Sequence, residues 1–231
     1  MLVTVIVPCY NEKKTILKIL KKIKKQKIKT QIIVIDDFSN DGTREILKKK
    51  GKKYFNKLIL HKKNFGKGAA IKSSKKFIKG NIVIIQDADL EYYPEDYKKL
   101  IQPIKNKYSN VVYGSRVLNK SRYYKNNFSS NFRVFANQIL TIFSNLINKQ
   151  NLTDAHTCYK VFRSVLFKKI TLKENDFSFC PEVTTKISKM RENIIEVPIR
   201  YKGRSYDKGK KISFKDGILA LKTLIKYRYF S

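Results

Sequence analysis

Val3-Thr4-Val5-Ile6-Val7-Pro8-Cys9-Tyr10-Asn11-Glu12 opens the chain with a β-branched run that breaks into a proline and a polar cluster. A short apolar run bounded by turn chemistry fits a strand buried on both faces. The pattern recurs at Ile32 to Ile35 before Asp36-Asp37, at Lys57 to Leu60, at Ile82 to Ile85 before Gln86-Asp87-Ala88-Asp89, and at Val111 to Tyr113. Between these runs, Ile16, Leu17, Ile19, Leu20 and Ile23 fall at helical spacing. So do Ile46 with Leu47, Ala70 and Ile71 with Phe77, and Leu100 and Ile101 with Ile104. This alternation predicts an α/β fold with a mostly parallel, Rossmann-like sheet and helices on both faces. Ligands of such sheets collect outside the carboxyl ends of the strands, so the residues just after each strand are the first candidates for a site.

The 231 residues suit one domain, and 42% hydrophobic side chains suffice for a core. No stretch reaches 18 consecutive apolar residues, and the first residues lack the basic region and cleavage site of a signal peptide. The expectation is therefore neither export nor a membrane span. Cys9, Cys158 and Cys180 form no Cys-x-x-Cys pair, and His61 and His156 lie far apart, which argues against a disulfide framework and a zinc site and fits a reducing cytosol.

Fifty-one Lys and Arg against 18 Asp and Glu give a net charge of +33. A composition rich in Lys, Ile, Asn, Tyr and Phe, with nine Gly and no Trp, is what an AT-rich genome produces. Whatever its origin, the charge attracts nucleic acid, nucleotide phosphates or an anionic membrane surface. Nucleic acid is the poorest fit, because no recognition motif is present and the acidic residues gather where ligands should bind.

If the chain stays extended after the fourth strand, Asp87, Asp89 and Glu91 project to one side. Carboxylates so placed repel unless a cation joins them, and hard oxygen ligands suit Mg²⁺ or Mn²⁺ completed by substrate phosphates. A diphosphate substrate is implied. Asp36 and Asp37 are candidates for a nucleobase or ribose contact, whereas Ser39 to Gly42 reads as a turn and helix cap. Gly66-Lys67-Gly68 reads either as an anion-binding helix start or as a tight turn that permits close packing. Two amphipathic stretches follow, one from Phe128 to Asn148 with Phe132, Phe135, Ile139, Ile142, Phe143 and Leu146, the other from Ile212 to Phe230. Each can pack as a surface helix or lie in a membrane interface.

Val5 to Glu12, Ile35 to Thr43, Gly66 to Ala69, and Gln86 to Leu90 with Pro94-Glu95-Asp96, taken together and in this order, resemble the family-2 glycosyltransferases of the GT-A fold. The likeness continues through Gly114-Ser115-Arg116, Asp154 to Phe162, Glu196 to Ile199 and Tyr201 to Arg204. It resembles the dolichyl-phosphate mannose synthase and polyprenyl-phosphate glycosyltransferase branch and spans essentially the whole chain. The resemblance implies one glycosyltransferase domain over residues 1–231, with a nucleotide-sugar half at 1–115 and an acceptor half with interfacial helices at 116–231. It implies that Pro8, Tyr10, Glu12, Ile35 and Asp37 line the nucleotide pocket, that Lys67, Asp87 and Ala88 meet the ribose and diphosphate, and that Asp89 with Glu91 holds the metal. Arg116, Arg133 and Arg204, with Lys210 or Lys211, match basic positions near donor and acceptor phosphates. Unlike the larger membrane-bound members, the sequence stops at Ser231 without transmembrane hairpins, so it is expected in the cytoplasm, peripheral on the inner face of the membrane.

The implied reaction is inverting transfer of a hexose from a nucleotide sugar. Two acceptors remain open. A polyprenyl phosphate is already ionised and needs only to be held, whereas a glycan hydroxyl must lose a proton, with Asp154 the candidate base.

Overall fold

The computed structural model describes residues 1–118, 128–203 and 214–230, with side chains throughout except at 128–133 and 214–216. Strands β1 (Val3–Cys9), β2 (Thr30–Asp36), β3 (Lys57–Leu60), β4 (Ile82–Ile85), β5 (Val111–Ser115), β6 (Lys160–Arg163) and β7 (Ile194–Pro198) form one sheet in the order β3-β2-β1-β4-β6-β5-β7. Pairing is parallel at β3-β2, β2-β1, β1-β4 and β5-β7, and only β6 runs antiparallel, between β4 and β5. β1, β2 and β4 are apolar along nearly their whole length because helices cover both faces.

The helices are α1 (Ile16–Lys24), α2 (Thr43–Ile46), α3 (Lys67–Ser74), α4 (Tyr97–Lys105), α5 (Phe128–Asn148), α6 (Ser164–Lys169), α7 (Phe179–Lys189) and α8 (Phe214–Tyr229). In α1 the apolar stripe Ile16, Ile19, Leu20 and Ile23 is fully buried, each such side chain contributing about 1.5–3 kcal/mol relative to exposure. The five anticipated strands are all present. β6 and β7 are additions: β6 offers four residues, Lys-Val-Phe-Arg, with a lysine and an arginine at its ends, too short and too charged for its alternation to stand out.

The α5 amphipathicity is inverted. Its buried positions include the polar Thr141, Ser144 and Asn148 beside Val134, while Phe135, Ile139, Ile142, Phe143 and Leu146 face solvent, Leu146 at 72% exposure. The inner face packs on α7 and α8. Ordinary core packing therefore does not account for this apolar stripe; Phe132 lies outside the described side chains. The C-terminal α8 is mixed, burying Ala220, Leu224 and Tyr227 and exposing Ile218, Leu219 and Ile225. Among the described residues no helix is long and apolar enough to cross a membrane.

Candidate functional site

Because β1, β2 and β4 run parallel, the loops after Cys9, Asp36 and Ile85 meet at one sheet edge. The segment after β2 is a scaffold for the loop after β1. Ser39 Oγ accepts the Asn11 amide, Thr43 Oγ1 the Glu12 amide, and Asp41 Oδ2 the Lys13 amide, at 2.9–3.0 Å. The turn reading of Ser39 to Gly42 holds, with Gly42 at φ 92°, and the turn does more by fixing the backbone beside Tyr10 and Glu12. Burial would raise the Asp41 pKa, but hydrogen bonds from Thr43 and Lys13 outweigh it and bring it below the usual value.

Asp36 and Asp37 part company. Asp36 is fully buried and accepts Arg44 Nε at 2.7 Å, a structural pair. Asp37 accepts the Phe65 amide at 2.9 Å, the Gly66 amide at 2.7 Å and His61 Nδ1 at 2.7 Å, while His61 Nε2 lies 2.8 Å from Ser73 Oγ. A carboxylate has about four lone-pair sites, and these contacts use three of those of Asp37. Pro8 and Ile35 are buried at the ends of β1 and β2, and Ala88 is 3% exposed after β4.

Of the two readings of the α3 start, the backbone contacts favour the tight turn with close packing. The first amides of α3 are already satisfied by backbone carbonyls, Gly68 by Asp176 at 3.3 Å and Ala69 by Asn175 at 2.9 Å. The glycines serve that close approach: a Cβ on either would sit 2.5 Å from a backbone oxygen, that of Asn175 for Gly66 and of Glu174 for Gly68. Lys67 nevertheless faces the site, with its ammonium 2.6 Å from Asp87 Oδ1. Burial alone would lower the Lys67 pKa, but Asp87 holds it well above the ordinary value.

The extended geometry anticipated for Asp87, Asp89 and Glu91 is absent. The chain turns after Asp87, Leu90 takes φ 65°, and Asp89 Oδ1 accepts the Glu91 amide at 3.1 Å. The Glu91 carboxylate receives the Tyr201 hydroxyl at 2.7 Å. Among the described residues no group of three His, Cys, Asp or Glu side chains is arranged to hold a metal. Half-buried Asp89, with Asp87 beside it, still fits an ion that takes most of its ligands from a diphosphate and water.

On the far side of β4, Arg116 and Asp154 form a bidentate pair: Nε to Oδ2 at 2.6 Å and Nη2 to Oδ1 at 2.7 Å, with the Arg116 amide also on Oδ2 at 3.0 Å. Their side chains are 8% and 3% exposed. Asp154 keeps the guanidinium charged despite its burial. The turn that carries Asp154 is held by Glu196 of β7, which accepts the Thr153 and Asp154 amides at 2.6 and 2.9 Å. The Arg116 guanidinium lies over the Tyr201 ring at 5.2 Å. Beneath, Gln86 Oε1 accepts both the Tyr97 and Tyr159 hydroxyls.

Arg204, Lys210 and Lys211 lie outside the described residues, as does the Arg133 side chain. His61, Glu196, Tyr201 and Lys160 were not singled out from the sequence. His61 follows β3 directly, so the strand-end rule identifies it; the other three sit in quoted motifs without a chemical signal of their own.

The family model described as Glycosyl transferase family 2 matches residues 4–171. An uncharacterised protein of Methanocaldococcus jannaschii is 30% identical over 98% of this chain and 92% of its own length. A UDP-N-acetylglucosamine–dolichyl-phosphate N-acetylglucosaminyltransferase of Methanococcus voltae is 30% identical over 86% of this chain and 85% of its own. A dolichol-phosphate mannosyltransferase of Pyrococcus furiosus is 29% identical over 92% of this chain, which spans 61% of that protein. Among solved structures, glucosyl-3-phosphoglycerate synthase of Mycobacterium tuberculosis with Mn²⁺, UDP and phosphoglyceric acid superposes with TM-score 0.71 at 16% identity, over 99% of this chain and 79% of that one. At that identity the likeness concerns the fold.

Proposed function

Because the chain belongs to glycosyltransferase family 2, we propose that it moves a hexose, with inversion, from a nucleotide sugar to a polyprenyl phosphate at a membrane surface. The observation that carries the acceptor class is the buried Arg116–Asp154 pair. A carboxylate clamped by a guanidinium through two hydrogen bonds and by a backbone amide is a poor proton acceptor, so Asp154, the candidate base for a hydroxyl, is otherwise engaged. A guanidinium held in register is what a phosphate acceptor calls for.

In this reading an ionised phosphate oxygen attacks the anomeric carbon as the bond to the leaving diphosphate breaks. The electron pair departs with the nucleoside diphosphate, and no proton has to be removed. Lys67 neutralises charge near the diphosphate, Arg116 holds the acceptor phosphate, and Asp37 contributes its remaining acceptor site to the nucleotide. Mg²⁺ or Mn²⁺ on Asp89 and Asp87 would supply Lewis-acid stabilisation of the leaving group. Relatives named for transfer to dolichyl phosphate support the acceptor class.

The α5 stripe from Phe135 to Leu146 and the net charge of +33 support docking on an anionic bilayer, the apolar side chains entering the headgroup region and the lysines meeting lipid phosphate. The 1–115 half would then serve the donor and the 116–231 half the lipid. The test is incubation with labelled UDP- and GDP-sugars, polyprenyl phosphate and Mn²⁺ or Mg²⁺, followed by organic extraction. Label in the organic phase that disappears with EDTA or in Asp89→Ala supports the reading; donor binding with no extractable product refutes it.

A further inference from the structure

Lys160 on β6 is fully buried, an uncommon place for a lysine. Its ammonium donates to the Ala155 carbonyl at 2.7 Å and sits 3.6 Å from the centroid of the Tyr113 ring on β5. Removing such a charge from water is costly, and one carbonyl with one aromatic face compensates only part of it. Burial accordingly pulls the Lys160 pKa down to about 8. The charged and titratable groups facing it are Cys180 of α7, Asp154 and Cys158 from the turn before β6, and Lys67 of α3, with His156 on the same turn and Tyr113 on β5. Lys160 thus stands between the donor-side Lys67 and the acceptor-side Asp154, and the transfer chemistry described above gives it no task.

The hydrogen bond of its ammonium to Ala155 identifies the task. Ala155 is the residue after Asp154, and the turn is tethered at several points: Glu196 grips the Thr153 and Asp154 amides, Ser115 Oγ meets Thr153 Oγ1 at 2.7 Å, Thr141 Oγ1 accepts the Ala155 amide at 3.3 Å, and Lys160 grips the Ala155 carbonyl. We infer that Lys160 is a positioning residue for acceptor phosphate, its ammonium fixing the turn so that Asp154 presents Arg116 in register. The inference rests on the phosphate-acceptor reading. It makes Lys160 charge, rather than Lys160 bulk, the requirement: the ammonium pulls on a carbonyl that a neutral side chain of the same volume leaves unpaired.

The test compares wild type, Lys160→Met and Lys160→Arg in the full chain, measuring donor dissociation constant, KM and kcat for polyprenyl phosphate, and the pH profile of transfer. Lys160→Met should bind nucleotide within about twofold of wild type yet lose about 100-fold in kcat/KM for the acceptor, the scale of a 1 Å misplacement. Lys160→Arg should recover most of that loss. Wild-type transfer should decline above about pH 8, and that of Lys160→Arg should not, because a guanidinium stays charged there. Folded Lys160→Met with normal acceptor kinetics overturns the inference. If Lys160→Met does not fold, coincident pH profiles of wild type and Lys160→Arg overturn it. Wild type that transfers to no lipid phosphate refutes the underlying reading instead, and donor binding separates that result from a misfolded preparation.

Discussion

Replacing Asp154 by Ala separates a positioning carboxylate from a catalytic base. The pair it breaks has contacts of 2.6 and 2.7 Å between side chains that are 8% and 3% exposed, so Arg116 would keep a buried charge without its partner. Breaking a pair of this kind costs about 3–5 kcal/mol, a large share of the ~5–15 kcal/mol that holds a domain together. At about 2–4 °C per kcal/mol for this size, the melting temperature should fall by about 6–20 °C. Arg116→Met/Asp154→Leu leaves neither charge stranded and should recover much of that stability while remaining inactive. Urea titrations of wild type, Asp154→Ala and the double variant measure both changes in stability. On the kinetic side, Asp154→Asn should chiefly raise KM for the acceptor, since the amide still occupies the site but no longer orients the guanidinium. A general base would show a fall of about 10²–10⁴ in kcat at unchanged KM. Wild-type stability in Asp154→Ala, or a pure kcat effect in Asp154→Asn, would refute the reasoning.

Gly68→Ala should destabilise by about 1–3 kcal/mol, because its Cβ would lie 2.5 Å from the Glu174 carbonyl oxygen and neither backbone can yield cheaply; an unchanged urea midpoint contradicts the close-approach explanation. Changing Phe135, Ile142 and Leu146 together to Ser should lower partition onto anionic vesicles by about 100-fold, because each side chain, only partly exposed, gains about 1 kcal/mol on entering the headgroup region, with no loss of melting temperature because all three are exposed in the free protein. Equal vesicle binding by that variant would remove the α5 face from the account. Burial, aided by Lys160, lowers the His156 pKa from 6.5 to about 4. The unfolded chain therefore takes up that proton first, and stability should fall as pH drops from about 6.5 towards 4, by about 3 kcal/mol in all. His156→Gln should flatten that slope, and an unchanged slope contradicts the assignment.

The parallel half of the sheet was legible because β1, β2 and β4 are buried on both faces and advertise it as unbroken apolar runs. β7 was harder: it lies at the sheet edge, half-buried along its length, with Glu196 in its middle. The donor-side residues could be located from strand ends alone, but their partners could not. Asp37 meets His61 and the Phe65 and Gly66 amides across 24 to 29 residues of chain, and Glu91 meets Tyr201 across 110. The expected alignment of Asp87, Asp89 and Glu91 shows how a local rule fails: period-two geometry requires an extended chain, and the turn that begins after Asp87, with Leu90 at φ 65°, ends it before Glu91 is reached. The two readings of Gly66 and Gly68 were equally consistent with the sequence, because what decides between them is the segment at residues 174–176, about a hundred positions away.

The central claim is that the acceptor arrives already ionised and is held by Arg116 rather than deprotonated by Asp154. Its most direct test offers purified protein a labelled nucleotide sugar with either a polyprenyl phosphate or the corresponding polyprenol, at matched concentration in the same vesicles. The account predicts an extractable glycosylated product from the phosphate alone, lost in Arg116→Met. Comparable transfer to the alcohol would contradict it, and would return Asp154 to the role of base.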